Sequence, residues 1–213
     1  MLIGIDTCGG LGTVALARWN GEAISVLGQI ELAGKTYSAE LVPKMQELLE
    51  GRGAGVQQLE AVVVVHGPGS FTGVRIGVSS AKALAEALNI PLLAVSRLAV
   101  LAYKAGTDTA VLDAGRGEFY FGARSGEALL LPGEVRQRLL GRLAVCEESA
   151  ARVFPKAVFS DPPSAADALT FAAPRLRGRD FNDVATIDGN YLRRSDAELF
   201  AKHNRGSASD KTE

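Results

Sequence analysis

Residues 66–77 read HGPGSFTGVRIG, and this stretch says more about the fold than any other part of the chain. It follows an all-apolar run at 61–65, typical of a strand buried on both faces, and leads into a helical pattern at 72–88. Its glycines and proline predict a tight turn that points backbone N–H groups over the helix start. It matches neither G-x-G-x-x-G nor G-x-x-x-x-G-K-[ST], so a plain glycine-rich strand-to-helix joint is the alternative interpretation.

The chain also repeats one arrangement. Residues 3–18 predict a strand that ends at Asp6, a turn of small residues and a second strand. Residues 110–124 predict the same order, with Asp113 at the end of the first strand. Mixed strands and helices predict an α/β fold, and the internal match suggests that this fold is duplicated.

Between the repeats, the periodicity predicts a third strand at 24–32, a helix at 37–49 and a strand at 92–95 followed by a short helix. The second half is thinner. It predicts one helix at 134–140, one strand, and a helix at 164–176 that a capping box begins.

We therefore predict a first lobe at 1–104 and a smaller second lobe at 105–203. A second capping box predicts a short last helix near 195. Residues 204–213 contain almost no apolar side chain and are predicted to be disordered.

Composition restricts the class of protein. A chain of 213 residues, 47% hydrophobic and 22% charged, is long enough to bury a core. Its formal net charge of -1 argues against a free-standing nucleic-acid binder, which usually carries a basic face. Two cysteines far apart, with no C-x-x-C and no signal peptide, suggest the reducing cytoplasm. No apolar run approaches the roughly 20 residues that span a membrane.

The two predicted helices of the first lobe carry more apolar and small residues than one sheet needs to cover. About two thirds of the circumference of the helix at 72–88 is apolar or small. Either this helix is wedged between the sheet and the helix at 37–49, or its stripe of small residues receives the helix of a second protein. The candidate partner surface consists of Leu41, Met45, Leu48, Ile76, Ser80, Ala83 and Ala87.

Candidate catalytic groups are few. The chain has two histidines, and one of them, His203, lies beside the predicted tail. His66 is better explained as a turn residue than as a base. No H-x-x-x-H or H-E-x-x-H pattern predicts a metal site. Ser70 lies in no G-x-S-x-G elbow, and nothing in the sequence supplies it with a His and Asp relay.

Asp6 and Asp113 form the one pair of carboxylates that merits consideration as a cofactor site. Paired carboxylates at strand ends can hold magnesium and a nucleotide. A carboxylate at a strand end is, however, also a common turn and capping residue. The turn after Asp6 contains no lysine, and the second lobe shows no glycine-rich adenosine loop.

Three blocks of sequence together resemble one family. The densest block, GPGSFTG-x-R, comprises Gly67, Pro68, Gly69, Ser70, Phe71, Thr72, Gly73 and Arg75. The second block reads DAGRGEFY at 113–120, and the last reads YLR at 191–193. With the apolar strand that ends in Asp-Thr at 6–7, these blocks resemble the bacterial TsaB (YeaZ) family, which acts in synthesis of the threonylcarbamoyladenosine of transfer RNA.

The resemblance implies a two-lobed, duplicated ribonuclease-H-like fold of the actin/sugar-kinase/Hsp70 (ASKHA) type with a reduced second lobe. It implies a non-catalytic subunit that pairs with the transferase TsaD and supports recruitment of the ATPase TsaE. ATP would be used by the complex, with no cofactor bound by this chain alone, and tRNA would be reached only through the complex. The free chain would be a homodimer. TsaD holds its metal with paired histidines on the helix that corresponds to 37–49, where this chain has no histidine.

Two other functions remain open. One is a small ATP-dependent kinase, ATPase or phosphatase of the same fold, which would show magnesium-dependent turnover by the isolated chain. The other is a protease of the related glycoprotease superfamily, which the missing metal ligands and nucleophile relay disfavour.

Overall fold

A computed structural model describes residues 1–33 and 36–193 of the chain. The disordered tail predicted at 204–213 and the helix predicted near 195 lie outside these residues. The described residues form two five-stranded sheets with helices packed on them, which confirms the predicted α/β class. Across the same two ranges, no helix combines the length and the apolar character needed to cross a membrane.

The first sheet contains β1 (Leu2–Asp6), β2 (Leu11–Trp19), β3 (Ile24–Ala33), β4 (Ala61–Val65) and β5 (Leu92–Val95). Their order is β3-β2-β1-β4-β5, antiparallel from β3 to β1 and parallel from β1 to β5. Both β1 and β4 are buried along their whole length, as the unbroken apolar run of β4 predicts for a strand covered on both faces.

Three helices follow these strands: α1 (Tyr37–Glu50), α2 (Phe71–Leu88) and α3 (Arg97–Ala105). The hydroxyl of Ser70 accepts a hydrogen bond from the Gly73 N–H at 3.3 Å, so Ser70 is the N-cap of α2. At the other end Asn89 adopts the left-handed conformation that terminates a helix. The helices predicted at 37–49 and 72–88 are therefore confirmed as α1 and α2.

The second sheet contains β6 (Thr109–Gly115), β7 (Glu118–Ala123), β8 (Gly126–Leu130), β9 (Leu143–Val145) and β10 (Val158–Phe159), in the order β10-β9-β6-β7-β8. In each sheet the first strand is central, the second and third lie on one side, and the fourth and fifth lie on the other. This shared order confirms the internal repeat. The helices α4 (Pro132–Arg138) and α5 (Glu148–Val153) complete the second lobe, and neither α5 nor β10 was predicted from the sequence.

The helix predicted at 164–176 is two helices, α6 (Ala165–Phe171) and α7 (Ala173–Arg177). The predicted capping box is present, because Ser164 and Asp167 cap the start of α6. The break falls at Ala172, just before Pro174, which has no N–H with which to continue the helical ladder.

The helix α6 packs on the first lobe. The sequence, in contrast, places all of residues 105–203 in the second lobe. The Ala165 N–H donates to the Thr13 hydroxyl at 2.7 Å, and a Cβ atom on Gly4 would lie only 2.8 Å from the Ala165 carbonyl oxygen. Tyr37 of α1 packs on Gly12, whose neighbour Thr13 faces α6, so α1 and α6 cover opposite faces of β2. The second face of the first sheet is therefore covered by α6, which comes after the second lobe in the sequence.

Candidate functional site

The glycine-rich stretch seats α2 directly on the turn that follows β1. A Cβ atom at Gly69 would lie 2.3 Å from the Cys8 carbonyl oxygen, and one at Gly73 would lie 1.9 Å from the Thr7 carbonyl oxygen. At Gly77 it would lie 2.3 Å from the Thr7 hydroxyl oxygen. Cβ atoms do not approach other heavy atoms so closely, so these positions require glycine for close packing.

Hydrogen bonds hold this seat together. The Thr7 hydroxyl donates to the Gly73 carbonyl oxygen at 2.6 Å, and the Ser70 N–H donates to the Cys8 carbonyl oxygen at 2.8 Å. Ser70 thus serves as a helix cap and a link to the β1 turn. The structure supports the plain joint as the role of this stretch: it fixes α2 against β1.

Other residues of the same stretch hold the last described segment of the chain. The rings of Phe71 and Tyr191 lie 4.8 Å apart, and the Arg75 guanidinium lies 3.8 Å from the centre of the Phe71 ring. The Arg193 guanidinium donates to the Gly115 carbonyl oxygen at 3.1 Å and to the Glu118 carboxylate at 2.7 Å. The three sequence blocks that carry the family resemblance therefore meet in space.

His66 belongs to this packing as well. Its Nδ1 lies 3.3 Å from the Asp188 carbonyl oxygen, and its own carbonyl oxygen accepts from the Asn190 N–H at 2.7 Å. Burial lowers the pKa of His66, so the ring is neutral at physiological pH. This placement agrees with a turn residue.

A cleft of ≈ 770 Å³ separates the two lobes. Its first wall consists of the β1–β2 turn, the start of α2 and Arg97. Its second wall consists of the β6–β7 turn with Tyr120 and Glu147. The lining residues are Cys8, Gly9, Gly10, Gly69, Ser70, Arg97, Asp113, Ala114, Gly115, Tyr120 and Glu147.

The two carboxylates predicted as a pair have different environments. Asp113 lines the cleft and accepts a hydrogen bond from the Gly115 N–H at 2.7 Å. Asp6 is 2% exposed, does not line the cleft, and accepts from the Cys8 N–H at 2.8 Å. Burial raises the pKa of Asp6, and the nearby Arg97 opposes that rise. Each carboxylate therefore acts as a turn residue, and the cleft lining contains only one of them.

Arg97 and Glu147 line the cleft without having been assigned a role from the sequence. Glu147 accepts a hydrogen bond from the Asp113 N–H at 2.5 Å, and burial raises its pKa. Arg97 is the first residue of α3 and is 7% exposed. No sequence pattern assigns a function to either residue, because the charged groups near each one come from distant parts of the chain.

The predicted partner surface divides between core and exterior. Leu41, Met45 and Leu48 are buried in the core of the first lobe, against the sheet, so they do not contribute a surface in this conformation. Ile76 and Ser80 are half-buried, whereas Ala83 and Ala87 are exposed on α2. On α1 the exposed large hydrophobic side chain is Val42, at 58%. The exposed members of the predicted partner surface are therefore the small residues Ala83 and Ala87 of α2.

No cluster of three or more histidine, cysteine, aspartate or glutamate side chains within residues 1–33 and 36–193 has the arrangement of a metal site.

Both cysteines are buried free thiols, and Cys8 lines the cleft. Burial, followed by the neighbouring Glu147, raises the pKa of Cys146 to about 12, and burial followed by Asp6 raises that of Cys8. Less thiolate is present than for an ordinary cysteine, and the thiolate is the reacting form.

We expect iodoacetamide to label Cys146 in the folded chain about a thousandfold more slowly than in the denatured chain. Mass spectrometry measures both rates, and equal rates would contradict the burial of this thiol.

The family model and the related sequences that match this chain all concern the threonylcarbamoyladenosine of tRNA. Residues 25–145 match the sequence model of the family described as TsaD, tRNA N6-adenosine threonylcarbamoyltransferase. The tRNA threonylcarbamoyladenosine biosynthesis protein TsaB of Bacillus subtilis is 38% identical over 125 residues, which cover 57% of this chain and 53% of that protein. The protein of the same name from Escherichia coli is 30% identical over 155 residues, 65% of each chain. The aligned part thus spans about half to two thirds of these relatives.

The fold has close structural relatives. The structure of YeaZ from Pseudomonas aeruginosa superposes with a TM-score of 0.73 at 26% identity, covering 90% of this chain and 99% of that one. With the shared strand order of the two sheets, this confirms the duplicated ribonuclease-H-like fold of the ASKHA type.

Proposed function

The chain belongs to the TsaB (YeaZ) family, and on that basis we propose that it is a non-catalytic subunit in the synthesis of tRNA threonylcarbamoyladenosine. Two relatives, from Bacillus subtilis and Escherichia coli, are named as tRNA threonylcarbamoyladenosine biosynthesis proteins, and this supports a role in that pathway. The burial of Asp6, whose carboxylate accepts a hydrogen bond from the Cys8 N–H, supports the non-catalytic role and is the observation that carries this part of the proposal.

Arg97 brings a fixed positive charge to the strand end where an active kinase of this fold holds magnesium. Burial by itself would lower the pKa of Arg97, but Asp6 and other nearby acidic groups outweigh it, so the guanidinium stays charged. A charged guanidinium repels a divalent cation, and Asp6 is buried and occupied by the Cys8 N–H. Asp6 thus serves as a turn residue, and the charge of Arg97 lies within electrostatic range of it.

The partners that we propose are a TsaD-like transferase and a TsaE-like ATPase. The surface for the transferase is the outer face of α2, which we define as Ile76, Ser80, Ala83 and Ala87. The small side chains of Ser80, Ala83 and Ala87 let the backbone of a partner helix approach closely. In the absence of the partner, the same face would join two copies of this chain. The net charge of -1 favours contact with tRNA only through the complex.

The isolated chain is expected to be catalytically silent. With magnesium and ATP, a clean preparation should release phosphate no faster than buffer, and Asp6→Ala should change nothing. A coupled phosphate-release assay measures both. Turnover at an ordinary enzyme rate, about 1 per second or faster, that disappears in Asp6→Ala would show that the chain is an enzyme in its own right.

A further inference from the structure

Another pocket, of ≈ 720 Å³, lies at the opposite end of the first sheet from the cleft. The cleft meets the turn that follows β1, whereas this pocket is formed by the start of β1, the end of β2, part of β3 and the residues that follow α1. Its lining includes Arg18, Trp19, Leu27, Arg52, Gln57 and Glu60. The pocket shares no lining residue with the cleft and contains no residue of the outer face of α2.

Two arginines give this pocket a positive charge. Arg18 and Arg52 are exposed, and neither guanidinium has a hydrogen bond or an ion pair within residues 1–33 and 36–193. Glu60 is the one carboxylate among the described lining residues, and the Met1 amino group donates to it at 2.8 Å. Arginine keeps its charge at physiological pH, and its fork of N–H donors matches phosphate and carboxylate oxygens. The pocket therefore suits an anionic ligand.

A β-bulge shapes the wall beside these charges. The pairing of β2 with β3 skips Leu27 of β3, so this residue is the extra one of the bulge. A bulge bends its strand and re-aims a side chain, and Leu27 lines the pocket. The next residue, Gly28, has no side chain, and the Nη2 atom of Arg52 lies 3.2 Å from the place that a Cβ atom would occupy there. The local backbone therefore leaves space for the guanidinium of Arg52 over β3.

An aromatic ring lies in the same pocket. Trp19, the one tryptophan of the chain, is half-buried at the end of β2 and is part of the lining. Proteins that bind single-stranded nucleic acid combine an aromatic ring, on which a base stacks, with cations that meet the backbone phosphates. An acidic peptide would use the two arginines but would leave the ring without a stacking partner. The combination therefore favours RNA over an acidic protein segment.

We propose that this pocket contacts an unpaired nucleotide of tRNA, with Arg18 and Arg52 on the phosphates and Trp19 against the base. The inference rests on the proposed function, in which tRNA is the substrate of the complex. Two phosphate contacts are too few for the free chain, with its net charge of -1, to hold tRNA at physiological salt. The pocket adds affinity once the transferase has bound the same tRNA.

The fluorescence of Trp19 reports on this pocket directly, because the chain has no other tryptophan. The free chain is titrated at low salt, where phosphate contacts are strongest, with an RNA anticodon stem-loop and with a poly-glutamate peptide. We expect the stem-loop to quench the fluorescence and the peptide to leave it unchanged. Arg18→Gln and Arg52→Gln should each weaken RNA binding about fivefold and reduce its salt slope by about 1. Arg142→Gln, which removes an exposed arginine of the second lobe, is the control and should change neither.

Absence of quenching by the stem-loop, or RNA binding that the two pocket variants leave unchanged, would overturn the proposal. Stronger quenching by poly-glutamate would assign the pocket to an acidic protein segment and would overturn the RNA assignment. In the reconstituted complex, the double variant should raise the KM for tRNA about twentyfold, and an unchanged KM would also contradict the proposal. Transfer that does not need this chain would contradict the proposed function alone, because the quenching is measured without the transferase.

Discussion

Gly73→Ala is expected to destabilise the fold by about 3 kcal/mol or more, the largest effect of any single methyl group that we predict. The added Cβ would lie 1.9 Å from the Thr7 carbonyl oxygen, which is backbone and cannot rotate away. Relief requires α2 to move from the β1 turn, and this breaks the hydrogen bond from the Thr7 hydroxyl to the Gly73 carbonyl. For a chain of this size the midpoint of thermal unfolding should fall by about 6–12 °C.

Two further variants make this result specific. Gly69→Ala, with its Cβ at 2.3 Å from the Cys8 carbonyl oxygen, should cost about 2–3 kcal/mol. Gly10→Ala in the adjacent turn meets no atom and should stay within about 0.5 kcal/mol of wild type. Melting curves followed by circular dichroism measure all three. Wild-type stability of Gly73→Ala would show that α2 does not rest on the turn after β1.

Ala83→Glu and Ala87→Arg are expected to abolish binding of the TsaD-like partner while leaving the fold intact. Both alanines are exposed, so a charge at either position remains solvated in the free chain. In the complex that charge would be buried without a partner, which typically costs several kcal/mol. This cost is on the order of that of removing one partner of a buried charge pair, so binding should weaken by about 100-fold or more.

The control for this pair is Ser149→Glu, which adds a charge at an exposed position on α5 of the second lobe. Calorimetric titration with the transferase compares the three variants, and circular dichroism reports their folding. Normal binding by both α2 variants would place the partner elsewhere. Loss of structure in both would show that the stripe of small residues belongs to the core.

The sequence predicts the elements whose signal is local. Three signals each lie in one continuous stretch: the apolar run of β4, the glycine turn, and the helical periodicity of apolar residues along α2. The structure confirms all three. The duplication is also visible, because each lobe begins with the same strand–turn–strand pattern, with a carboxylate within the last three residues of its first strand.

Features that depend on distant contacts are not predicted. The alanine-rich α6 reads as part of the second lobe, yet it packs against Gly4 of the first, because that sheet needs a cover on its second face. Leu41, Met45 and Leu48 read as surplus apolar residues, but the wide antiparallel part of the first sheet buries them. The buried charge of Arg97 has no local signal, since its neighbours Asp6 and Glu147 come from both lobes.

Reconstitution of threonylcarbamoyl transfer to tRNA, with TsaD-like and TsaE-like proteins of the same organism, tests the central claim most directly. The account predicts that product forms only when this chain is added, that Asp6→Asn and Asp113→Asn support wild-type yield, and that Ala83→Glu supports none. Product formed equally well without the chain, or lost in the aspartate variants while they still fold and bind the transferase, would contradict it.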